Sequence, residues 1–94
     1  MPSTERRLAD LVSVGPAMLR DFDLLGIRSV AQLARQTPEK LYQRLCRKTG
    51  QPVDICVFDV FSAAVAQARN PRLRSEQRNW WNWSRKRKAR DASQ

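Results

Sequence analysis

Side chains able to do covalent or metal chemistry are few in this chain, and the usual combinations of them are missing. Its 94 residues include no histidine. That removes Ser-His and Cys-His nucleophile pairs and every histidine-bearing metal site. Two cysteines, Cys46 and Cys56, fall short of a four-ligand zinc site, and three glycines leave no room for a phosphate-cradling loop or a dinucleotide fingerprint. Asp21, Asp23 and Asp59 remain as acid–base candidates, and the helical patterning around them assigns all three to helix surface. The expectation is a protein that is not an enzyme and uses no cofactor and no metal.

Chemistry for anions is what the chain does have. It carries 18 Lys+Arg against 9 Asp+Glu, a net charge of +9. The excess is unevenly spread: residues 1–70 hold ten basic and seven acidic side chains, whereas 71–94 hold eight and two. Five cations, Arg85, Lys86, Arg87, Lys88 and Arg90, fall within the seven positions 84–90. Such a run reads as a disordered, solvated tail over 84–94 whose cations contact phosphate with a steep salt dependence. Just before it stand Trp80, Trp81 and Trp83. They would stack on unpaired bases, anchor at a membrane interface, or dock the tail and enlarge a small core. Docking is favoured, because aromatic burial remedies a marginal small domain. Trp80 and Trp83 then share one helical face, which leaves Trp81 for solvent.

A second anion-binding candidate lies near the other end, in Leu11-Val12-Ser13-Val14-Gly15-Pro16-Ala17-Met18-Leu19. Gly15 and Pro16 interrupt an apolar stripe and restart a helix, and a helix start offers unpaired N–H groups and a partial positive charge to an anion. The candidate donors are the backbones of Ser13, Gly15, Ala17 and Met18, with the Arg20 side chain one turn further on.

These groups need a frame, and the frame reads as helical. Ser3 or Thr4 starts a first helix with Leu8, Leu11 and Val12 inward. A second covers 16–25 and stops at Gly26, with Ile27 as the following apolar contact. Ser29 caps a third, with Val30 and Leu33 inward. Thr37-Pro38-Glu39 opens a fourth that buries Leu41, Leu45 and Tyr42 and ends at Gly50. Asp54 caps a fifth that runs to Arg69, where Asn70-Pro71 ends it. That helix is apolar around most of its circumference, as the middle of a bundle must be, with Asp59 marking its narrow solvent side. The fold class is all-α, a compact bundle of about five short helices, divided as a helical domain over 1–70, a docked Trp segment over 71–83 and a basic tail over 84–94. No apolar run reaches the roughly 18–20 residues of a membrane span, and the N-terminus does not read as a secretory signal. A cytoplasmic location is expected, with both cysteines reduced and acting as small buried hydrophobes.

The 11–19 segment followed by Leu25-Gly26-Ile27 resembles the helix-hairpin-helix motif, in which a tight glycine turn aims backbone N–H groups at a DNA phosphate. Further residues in order are Glu39-Lys40-Leu41-Tyr42-Gln43-Arg44-Leu45-Cys46, Gly50, Asp54, Cys56-Val57-Phe58-Asp59-Val60-Phe61 and Trp80-Trp81-Asn82-Trp83. Together they resemble the small bacterial pathogenicity-locus, or mitomycin-resistance-like, family of helix-hairpin-helix proteins, over roughly residues 8–83. The first half is also similar to the C-terminal domain of bacterial competence regulators. The hairpin resemblance implies sequence-nonspecific DNA binding through phosphates, with a protein-interaction adaptor as the alternative; membrane binding, raised by the tryptophans beside the basic run, ranks last. One position departs from the motif. Ser13 stands where the usual hairpin has glycine, at a steric cost if that backbone needs a positive φ.

Overall fold

The computed structural model describes residues 6–73 and 78–92, with side chains of the last helix through Ala89. A single 3-10 turn, Leu8–Asp10, leads into five helices among the described residues: α1 Pro16–Leu24, α2 Val30–Ala34, α3 Pro38–Thr49, α4 Ile55–Arg69 and α5 Trp80–Ala92. No strand occurs in them, so the chain is all-α. None of these helices is long and apolar enough to cross a membrane.

The caps form where the residue types placed them. Gly15 is the N-cap of α1 and Pro16 its first residue. Its far end is a Schellman closure: Ile27 N–H reaches Phe22 O at 2.8 Å and Gly26 N–H reaches Asp23 O at 3.1 Å. Gly26 takes the left-handed backbone this closure requires, with φ 77°. Ser29 Oγ accepts from Gln32 N–H at 3.1 Å to start α2, and Thr37 Oγ1 accepts from Lys40 N–H at 3.4 Å to start α3. Asp54 Oδ1 accepts from Cys56 N–H at 2.9 Å to start α4.

Packing centres on α4, which lies against α2, α3 and α5. Phe22, Leu33, Leu41 and Phe61 are fully enclosed, and the Phe22 and Phe61 rings sit 5.7 Å apart. Two arginines stitch helix ends across the bundle. Arg69 donates to Ala34 O and Gln36 O at 2.9 and 2.7 Å, and Arg44 donates to Leu25 O at 2.8 Å. Each supplies donors to carbonyls that a helix end leaves without partners.

Four expectations need correction. The helix expected from Ser3 or Thr4 starts outside the described residues, and within them only the Leu8–Asp10 turn forms. Its reason lies just beyond: the Val12 N–H, which a continuing helix would use, is taken by Gln67 Oε1 at 2.9 Å. Asp59 is not on a solvent side but 1% exposed, because α5 lies over it and Arg87 pairs with it. Positions 84–92, expected as a disordered tail, continue α5 without a break. The charge run conceals a helical face in which Trp80, Trp83, Ser84 and Arg87 recur at positions i, i+3, i+4 and i+7 and turn toward α4. Finally, Cys46 and Cys56 are free thiols, half-buried rather than enclosed.

Candidate nucleic-acid interface

The turn ahead of α1 is held from behind by one buried amide. Gln67 on α4, 3% exposed, accepts from Val12 N–H and donates to Val12 O, both at 2.9 Å. The same Nε2 also lies 3.3 Å from Ala63 O and from Arg78 O. Leu11 and Val14 flank the turn and are buried. Between them Ser13 adopts φ 73°, the left-handed region expected for this position, here occupied by a residue with a Cβ.

So anchored, the turn divides its donors into those spent within the fold and those left over. Val12, Val14 and Leu19 spend their N–H groups within the fold. No turn, cap or side-chain hydrogen bond takes up the N–H groups of Ser13, Gly15, Ala17 or Met18 among the described residues. Gly15, Pro16 and Ala17 are exposed, and the Met18 side chain is buried, so Met18 offers its backbone alone. A Cβ placed on Gly15 meets nothing within 4 Å, and its backbone is ordinary extended chain with φ −99°. The space beside Gly15 is therefore open. Arg20 is exposed on α1. Beside it, burial holds the Asp21 carboxyl above its ordinary value while the Arg20 charge opposes the shift.

The Ser13 hydroxyl faces the other end of the chain. Its Oγ accepts from the Trp80 N–H at 3.3 Å, at the first residue of α5. This contact sets the first residue of α5 beside the turn, more than one helical turn ahead of the cations Arg85, Lys86 and Lys88. From there α5 carries an exposed stripe at i, i+4 and i+7, formed by Trp81, Arg85 and Lys88. The Arg85 guanidinium lies 5.1 Å from the Trp81 ring centre and donates to Asn82 Oδ1 at 3.1 Å. Lys86, on another side of the helix, stands 4.8 Å over the Trp83 ring.

The structure removes one cation from the expected set. Arg87 forms a two-pronged pair with Asp59, Nε to Oδ1 at 3.0 Å and Nη2 to Oδ2 at 3.1 Å, with side chains 14% and 1% exposed. A guanidinium so engaged and covered holds α5 to α4 and is not offered to phosphate. The side chain of Arg90 lies outside the described residues. Lys86, Arg85 and Lys88 remain exposed. Sequence reasoning missed Gln67 and placed Asp59 on the solvent side, the two residues that build the surface from behind. Both are polar interruptions of an otherwise apolar α4, which was the available signal.

The family profile described as pathogenicity locus matches residues 3–89. Mitomycin resistance protein McrB of Streptomyces lavendulae is 37% identical over 81 residues, which cover 86% of this chain and 73% of that protein. No solved structure matches. With a match that spans the turn, the bundle and nearly all of the Trp-containing helix, the chain belongs to the pathogenicity-locus family.

Proposed function

We propose that this protein is a sequence-nonspecific DNA-binding accessory protein, with its turn acting as a helix-hairpin-helix contact to phosphate. The observation that carries this reading is the set of four N–H groups at Ser13, Gly15, Ala17 and Met18, left over on a turn whose other donors are spent. Backbone donors at a helix start suit a phosphate oxygen and carry no base information. Arg20 and the α5 cations Arg85, Lys86 and Lys88 add the long-range attraction. Cytoplasmic DNA and no covalent chemistry belong to the same proposal.

The direct test is binding to unrelated duplexes over a range of salt. Comparable affinities are expected, falling steeply as salt rises. Gly15→Glu keeps the fold, because the new side chain enters open space, and it sets a carboxylate where the phosphate would sit. Duplex affinity should drop about tenfold, the worth of one charged hydrogen bond. Unchanged affinity in this variant rules out the turn as the contact.

A protein-interaction adaptor is the second reading. It is favoured by a groove of about 370 Å³ between the start of α3, α4 and α5, with Phe58, Val65, Ala66 and Trp83 among its walls. An adaptor would show no salt-sensitive duplex binding that depends on Gly15.

A further inference from the structure

From the geometry of α5 we infer that Trp81 is a stacking platform for an unpaired base, so that the protein holds a single DNA strand alongside the phosphate grip of the turn. This rests on the DNA-binding reading and specifies the form of DNA that the α5 side of the surface takes.

Trp81 is 48% exposed, the most exposed of the chain's three tryptophans, even with Arg85 against its ring. A large aromatic left half in water costs hydrophobic free energy, and its neighbours at 80, 83 and 84 show that α5 had a less exposed face to use. The surroundings of Trp81 match one kind of occupant. A cleft of about 360 Å³ is lined by Cys56, Trp80, Trp81, Ser84, Arg85 and Lys88. That volume lies within the range of clefts that hold small planar ligands, about 300–1,000 Å³. Its rim carries two cations and no carboxylate, so the occupant is anionic as well as flat. Nucleotides of a single strand combine those properties, whereas a duplex keeps its base faces stacked on one another.

Arrangement along the helix sets ring and cations in one row. Trp81 supplies the ring, and Arg85 and Lys88 follow on the same face at one and two turns. Arg85 is already positioned by the ring and by Asn82 Oδ1, so its charge is placed before any ligand arrives. At the opposite end of the stripe the Ser13–Trp80 contact joins the surface to the turn. The start of α5 therefore lies beside the turn, and the unpaired strand runs from there along the Trp81 stripe. The DNA-binding reading of the turn assigns the strand to DNA.

The test is intrinsic tryptophan fluorescence of the full chain, titrated with a short oligothymidylate, with its duplex with oligodeoxyadenylate, and with heparin, a polyanion without bases. The single strand should quench emission. Trp81→Ala should abolish most of that quench and weaken single-strand binding by roughly tenfold, within the worth of one stacked base. Trp81→Phe should retain most of the affinity. Duplex affinity in Trp81→Ala should fall by clearly less than single-strand affinity, and circular dichroism should be unaltered because the residue is half in solvent. Equal quenching by heparin, or single-strand affinity that Trp81→Ala leaves unchanged, overturns the inference. Salt-sensitive duplex binding that persists in that case leaves the phosphate reading standing. Absence of binding to both nucleic acids defeats the two together.

Discussion

Ser13 sits in a backbone conformation that disfavours a side chain, yet its hydroxyl has a task there. The left-handed φ of 73° costs about 1 kcal/mol relative to glycine. Against this stands the contact of its Oγ with the Trp80 N–H at 3.3 Å, a net gain of about the same size. The near balance gives a sharp expectation. Ser13→Ala keeps the strain and loses the acceptor, so it should destabilise by about 1 kcal/mol, roughly 4–8 °C in Tm for a domain of this size. Ser13→Gly loses the acceptor but also the strain, and should melt close to the wild type. Thermal denaturation of the pair reads this directly, and equal melting points for the two variants would contradict it. The sequence already showed that Ser13 replaced a turn glycine. Its partner lies 67 residues away, so the compensation could not be seen from local pattern.

Helix starts and stops along α1 to α4 were the most legible elements, because each is written in residues adjacent to the feature they create. Thr37, Asp54 and Gly26 act within three residues of themselves. Asp54 also makes its helix sensitive to acid. The Cys56 backbone N–H, with the Cys56 thiol as a further donor, holds the Asp54 carboxyl below its ordinary value. A carboxyl lowered in the folded state contributes stability that is complete above the unfolded value and is lost as pH falls through the folded one. Asp54→Asn keeps a capping oxygen that does not titrate. The stability difference between wild type and this variant should therefore narrow or reverse between neutral pH and the acid side of the carboxylate range. Urea midpoints at the two pH values measure it, and a pH-independent difference would remove Asp54 as a contributor. The element that local reading misjudged was α5. Its cations dominate the composition, and the four positions that face α4 include one of those cations, Arg87.

At the level of the whole molecule, the basic end is part of the structure that it decorates. Deleting residues 84–94 would remove cations, but it would also strip Arg87 from Asp59, which is buried with 1% exposure. An unpaired charge in that place costs about 3 kcal/mol or more, a large share of the stability of a domain this small. Such a truncation should lower the urea midpoint sharply, and so should Asp59→Ala alone. Asp59→Leu combined with Arg87→Met should recover most of the loss. A truncated chain as stable as the full one would show that the pair contributes nothing. Loss of DNA binding on truncation thus reports on folding as well as charge. Substitution of the exposed Arg85 and Lys88 separates the two.

Gln67 and the Ser13–Trp80 contact also order events in time. The turn near the start of the chain takes its shape from an amide on α4, and it is tied at its front to the first residue of α5. Synthesis proceeds from the other direction, with early residues emerging first. The turn therefore waits for residues 80–87 to leave the ribosome before its donors are aligned. A nascent chain thus carries the residues of the turn well before it carries their arrangement, and any contact that needs those donors aligned is deferred until α4 and the start of α5 have emerged.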